Sequence, residues 1–208
     1  KSRRRTDGTS CSPGLRSTAR HKHMRTFIAI EIPSEIKSAL AALQTKLQRA
    51  GADVSWTKAE NLHLTLNFLG EVDEKRIVEV EKTCVSLAAE FQPFTLSLAD
   101  IGAFPNTKQP RVLWAGLSGA IENVYEMHGR LDERLALIGF KREEKRFHPH
   151  LTIGRLKSNK NTRELLALAD AHQLPALPFL VTEIVLMKSE LHPAGSEYTP
   201  MAKVCLSQ

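Results

Sequence analysis

The sequence predicts an α+β protein built from two similar lobes with mainly antiparallel sheets. Two observations lead there. Segments with strand-like and helix-like patterning alternate along the chain. A short motif also occurs twice, as His63-Leu64-Thr65-Leu66 and His150-Leu151-Thr152-Ile153, with His and Thr 87 residues apart in the same register. Side chains two apart in a strand leave the same face, so each His-x-Thr pair points one way. Two such strands facing one cleft would aim two imidazoles and two hydroxyls at a single ligand.

Taken in order, Thr26-Phe27-Ile28-Ala29-Ile30 is an apolar run within 25–32 that reads as a buried strand. Pro33-Ser34 opens a helix over 35–50, with Ile36, Leu40, Leu43 and Leu47 on one stripe and Gly51 as its stop. The first motif strand covers 62–69 and closes at Gly70. Asp73 begins a helix that carries Ile77, Val80, Cys84 and Leu87. Strands at 94–101 and 111–117 are joined by a turn-rich connector of the kind that borders sites. A third helix spans 121–137, with Val124, His128, Leu131 and Leu135 on its stripe and Gly139 after it. The second motif strand follows, then a short helix at 162–171 and a Pro-marked turn between Pro175 and Pro178. Strands at 181–186 and 198–206 form a hairpin around His192-Pro193-Ala194-Gly195-Ser196.

The 208 residues are 42% apolar and 25% charged, enough for a real core. No apolar run is long enough to span a bilayer, so no membrane partner is expected. Three cysteines at wide spacing (Cys11, Cys84, Cys205) argue against a disulfide framework and point to a cytoplasmic protein. The net charge of +6 resembles a nucleic-acid signal until it is located. Residues 1–23 hold seven bases and one acid, Asp7, and the remainder has equal numbers of each. Residues 1–23 are therefore expected to be a disordered basic tail, upstream or expression-derived, with Met24 as the native start. Residues 24–208 form the folded domain, expected to be a monomer.

Two opposed histidines can serve as general base and general acid near neutral pH. Threonine hydroxyls can hold non-bridging phosphate oxygens. Together these are the parts for opening a phosphodiester without a metal. Sequence symmetry alone does not say which histidine is acid and which is base. His148 and His150 make a His-x-His pair, yet no acidic or cysteine cluster completes a metal site in the sequence. No metal or other cofactor is expected. His128 reads as a core or boundary residue, Trp56 and Trp114 as packing residues, and Tyr198 has no assignable partner. The mixed-sign run 141–146 reads as a solvated loop whose bases could guide a polynucleotide.

The paired elements resemble the signature of the two-histidine (2H) phosphoesterase superfamily. More closely, Met24–Ile30, the HLTLNFLG and HPHLTIGR segments, and Phe104-Pro105 with Pro110–Trp114 are similar to the bacterial and archaeal RNA 2′,3′-cyclic phosphodiesterases, also known as 2′-5′ RNA ligases. The resemblance runs from Met24 to the C-terminus. It implies a bilobal fold with helices outside a central groove, and hydrolysis of RNA or nucleoside 2′,3′-cyclic phosphates to 2′-phosphates. By the same resemblance His63 would be the proton donor and His150 the proton acceptor, with Thr65 and Thr152 on the phosphate. Reversible 2′-5′ joining, end trimming, or nucleotide binding with little turnover are the other functions such a groove could serve.

Phe68 and Arg155 are also 87 apart, each five residues after its histidine. That odd offset faces away in a regular strand. They can reach the cleft only past a bulge, which Gly154 would permit on one side. There Arg155 would suit phosphate or base contact and Phe68 base stacking.

Overall fold

The computed structural model describes residues 23–193 and 195–207. Its strands are β1 (His23–Glu31), β2 (Val54–Trp56), β3 (His63–Asp73), β4 (Phe94–Phe104), β5 (Val112–Gly119), β6 (His150–Leu156), β7 (Pro178–Val181), β8 (Glu183–His192) and β9 (Gly195–Cys205). Its helices are α1 (Ser34–Leu47), α2 (Ile77–Ala88), α3 (Ile121–Leu137) and α4 (Thr162–Asp170). Residues 1–22 of the expected tail lie outside the described residues, and His23 already belongs to β1.

Every strand pairing is antiparallel, and the order across the sheet is β7-β4-β5-β6-β3-β1-β8-β9, with β2 beside β6. The two expected sheets are thus joined, but only at the centre, where the motif strands meet in one residue pair, Leu64 with Leu151. Outward from that seam, β6-β5-β4-β7 mirrors β3-β1-β8-β9. The first lobe carries α2 and α3, and the second carries α4 with α1 packed beside it. The lobes are therefore not the two halves of the sequence. α1 comes from the first half and helps cover the second lobe, and α3 does the reverse.

The apolar stripes account for this packing. Ile36, Leu40, Leu43 and Leu47 of α1, and Val124, Met127, Leu131 and Leu135 of α3, are all buried in one core with Leu64, Leu66, Leu151 and Ile153. β1 is buried on both faces. Ile28 and Ile30 point into that core, while Phe27 and Ala29 join Val185 and Met187 in a smaller cluster beneath Tyr198. That is why residues 27–30 read as a continuous apolar run rather than an alternation.

Several boundaries moved. β3 continues past Gly70, which takes φ +70° inside the strand, and the chain turns only at Asp73, whose carboxylate accepts the Lys75 N–H. β2 and β7 were not expected. β2 has three residues, too few to show a period. β7 opens on Pro178, which a strand pairing only with β4 tolerates because its other edge is unpaired.

Candidate active site

The two motif strands break their alternation at the same place. Against β1, Ala29 faces Thr65 and Ile28 faces Asn67, so Leu66 is an extra residue in β3. Against β5, Trp114 faces Thr152 and Leu113 faces Gly154, so Ile153 is an extra residue in β6. Leu66 and Ile153 are themselves 87 apart. From each histidine onward both strands run half-buried, buried, half-buried, buried, buried, exposed. The bulge turns an odd offset into an even one. Phe68 and Arg155 consequently join His63, Thr65, His150 and Thr152 around one cleft of about 120 Å³, with Thr57, Asn61 and Tyr198 completing it.

Gly154 has a different task from the one expected. The bulge sits at Ile153, and its counterpart forms in β3 without a glycine. A Cβ on Gly154 would lie 2.7 Å from Val54 Cγ1 and 3.2 Å from Trp56 Cε3. The glycine lets β2 close onto β6 beside the cleft.

Both imidazoles are anchored alike. His63 donates Nδ1–H to the Asn61 carbonyl at 2.8 Å, and His150 donates Nδ1–H to the His148 carbonyl at 2.6 Å. Each bond reaches back two residues, fixing one tautomer and leaving Nε2 for the cleft. The surroundings differ. His63 stacks on Phe27 (4.8 Å between centroids) and meets Tyr198 edge-on at 5.2 Å. His150 meets Phe104 edge-on at 4.9 Å. The Thr65 hydroxyl lies 2.9 Å from His63 Nε2 and donates to it. The Thr152 hydroxyl has no such partner among the described residues.

Burial in these aromatic surroundings disfavours the imidazolium. It pushes His63 down to about 4 against the pull of the Asn61 carbonyl, with Lys37 adding to the depression and Glu31 opposing it. It also lowers His150, where the His148 carbonyl opposes and nearby Arg155 adds to the depression. Both rings are therefore neutral at pH 7. Arg155 is exposed and has no ion-pair partner among the described residues, so its charge is available to an anion.

Phe27, Tyr198, Asn61 and Thr57 escaped the sequence reading. Asn61 acts through its backbone carbonyl, which any residue type supplies. Phe27 and Tyr198 reach His63 through strand pairings that no local pattern encodes. His148, raised above as half of a metal pair, is exposed and packs on Trp114 (5.0 Å) and edge-on to Phe104. Among the described residues no three His, Cys, Asp or Glu side chains gather as a metal site.

The fold and cleft define a class, a two-lobed α+β protein whose central groove carries paired imidazoles and hydroxyls beside a free guanidinium. Comparison with known proteins gives the family. Residues 30–114 and 117–198 match the family described as LigT like Phosphoesterase. The chain is 38% identical over 176 residues to the RNA 2′,3′-cyclic phosphodiesterase of Methanocaldococcus jannaschii, covering 84% of this chain and 96% of that one. It is 31% identical over 195 residues to the enzyme of the same name from Escherichia coli, covering 88% and 97%. Among solved structures, a Thermus thermophilus protein superposes with a TM-score of 0.74 at 31% identity, over 88% of this chain and 98% of that one. Escherichia coli LigT complexed with 3′-AMP superposes with a TM-score of 0.68 at 28% identity, over 90% and 100%. The chain belongs to the LigT-like phosphoesterase family.

Proposed function

We propose that the protein is an enzyme that hydrolyses 2′,3′-cyclic phosphates of RNA or nucleosides to 2′-phosphates, using its two histidines and no metal. The reading rests on one observation: His63, Thr65, Phe68, His150, Thr152 and Arg155 line a single cleft. The names of the relatives, RNA 2′,3′-cyclic phosphodiesterase, agree with it.

In this reading the cyclic phosphate sits between the two Nε2 atoms. His150 takes a proton from water, whose oxygen attacks phosphorus in line with the 3′ oxygen. The P–O3′ bond breaks, and His63 gives a proton to the departing 3′ oxygen. The 2′ ester remains. Thr65, Thr152 and Arg155 hold the non-bridging oxygens as negative charge grows on them. Thr65 must release Nε2 of His63 and turn its hydroxyl to the phosphate. The substrate's negative charge raises the His63 pKa from the low value that burial imposes, so the donor is protonated when it is needed. Phe68, 64% exposed at the cleft edge, supplies a face on which a base stacks.

Among the described residues no helix is long and apolar enough to cross a membrane, and Cys84 and Cys205 are free thiols. A monomer working in the cytoplasm is part of this reading, which light scattering and fractionation would check. The direct test of activity is incubation of the purified protein with a 2′,3′-cyclic mononucleotide in EDTA. The 2′-phosphate should be the sole product, at an undiminished rate. The 3′-phosphate as product, or loss of turnover restored by zinc or manganese, would overturn the mechanism.

A further inference from the structure

The cleft opens on one side into a larger pocket of about 530 Å³, within the size range of small-molecule sites. It shares Thr65, Phe68 and His150 with the cleft, so any ligand held there continues directly from the phosphate position. Its walls are apolar: Phe104, Pro105, Val112 and Phe147. Phe147 is fixed by stacking on His128, 3.8 Å between centroids and 13° from parallel. Aromatic faces of this kind accept bases of a single strand whatever their sequence.

Arg111, Lys145 and Arg146 stand around this pocket, with Glu143 the one acid lining it. Their charges are unspent. In the loop before β6, Lys141 pairs with Glu144 at 2.7 Å and Arg142 pairs with Asp132 at 2.9 Å. Lys145, Arg146 and Arg111 have no acidic partner among the described residues. A loop that reads as mixed-sign in sequence is thus sorted in space, with its two unpaired cations, Lys145 and Arg146, lining the pocket.

The opposite flank of the cleft makes the contrast. It is lined by Lys58, which is 87 residues before Lys145, but also by Glu60 and Glu197. Acids outnumber bases there. Of two flanks related by the internal repeat, only one has the charge to hold a polyanion.

Resting on the cyclic-phosphate reading of the cleft, we infer that the pocket between Phe104 and Phe147 is a subsite for the single strand of RNA attached to the cyclic end. It stacks a base of that strand, and Arg111, Lys145 and Arg146 hold the phosphates as the strand leaves over the second lobe. The preferred substrate is then the end of an RNA chain rather than a free cyclic mononucleotide.

The test compares kcat/KM for a 2′,3′-cyclic mononucleotide and for a short single-stranded RNA with a cyclic end, in the protein and in the triple variant Arg111→Ala, Lys145→Ala, Arg146→Ala, over a range of KCl. These side chains are exposed and lie outside the cleft, so folding and mononucleotide turnover should be unchanged. The RNA value should fall by about tenfold or more in the variant, and its dependence on log salt should flatten by about 0.7 for each phosphate no longer neutralised. Equal losses for both substrates, or no loss for RNA, would overturn the subsite. Absence of turnover with either substrate in the unmodified protein would instead overturn the hydrolytic reading. Fluorescence anisotropy with 3′-phosphorylated RNA then decides the subsite, with equal affinity of protein and variant counting against it.

Discussion

Gln44 and His128 brace opposite lobes with the same kind of bond. Gln44 of α1 donates Nε2–H to the Ile153 carbonyl at 2.7 Å and to the Thr57 carbonyl at 2.8 Å. His128 of α3 donates Nδ1–H to the Leu66 carbonyl at 3.0 Å. Ile153 and Leu66 are the two extra residues of the bulges, so each bulge carbonyl is met by a helix from the other half of the sequence. Gln44→Leu removes the donor and should cost about 1–3 kcal/mol, the penalty for a buried acceptor left short of partners. His128→Gln keeps an amide donor and should cost less than His128→Leu. Chemical denaturation of the three variants checks the ranking; His128→Gln as unstable as His128→Leu would mean that ring packing, not the bond, is what matters.

The two histidines should be separable by leaving group. Replacing either by Ala should slow hydrolysis of a cyclic mononucleotide at least about a hundredfold, and the rate should trace a bell in pH set by the pair. An activated aryl phosphodiester needs no proton on its departing oxygen. With that substrate His63→Ala should recover most of its rate while His150→Ala stays slow. Recovery in His150→Ala instead exchanges the two roles.

Anion binding should take up protons. Both imidazoles are held low by burial, His63 at about 4, and a doubly charged tetrahedral anion between them raises both. Sulfate does not titrate in this range, so its affinity should rise as pH falls from 7 towards 5. Calorimetry in buffers of different ionisation enthalpy would count the protons; none would remove the histidines from the anion site. The same depression makes folding pH-dependent. The unfolded chain binds more protons below the ordinary histidine value of 6.5, so this stability is full above that pH. It declines as pH falls towards 4.

The motif strands, the four helices and the paired His and Thr residues were legible because each is written in local pattern or in the repeat. Phe68 and Arg155 were legible only conditionally. Their odd offset demanded a bulge, and the adjacent buried pairs Leu66-Asn67 and Ile153-Gly154 that mark it involve a polar residue and a glycine. The exchange of α1 and α3 between lobes was not legible. Amphipathic stripes say that a helix buries one face but not against which sheet. Nor were the aromatic neighbours of His63, since Phe27 and Tyr198 meet it through separate strands, β1 and β9.

The seam at Leu64 and Leu151 makes the frame of paired His and Thr residues close to a palindrome. From either lobe, a ligand meets an imidazole held by a carbonyl two residues back, a hydroxyl, and then a bulge. Such a frame has no inherent polarity. A ribose phosphate, which is chiral and has distinct 2′ and 3′ oxygens, could enter it in two orientations. The vote between them falls to positions where the repeat differs, among them Phe68 against Arg155, Glu31 beside His63 where Gly116 lies beside His150, and the unlike charges of the two flanks. In the proposed reaction the direction is then set by substituents on the frame, and changing sides at those positions is the route to turning the substrate around.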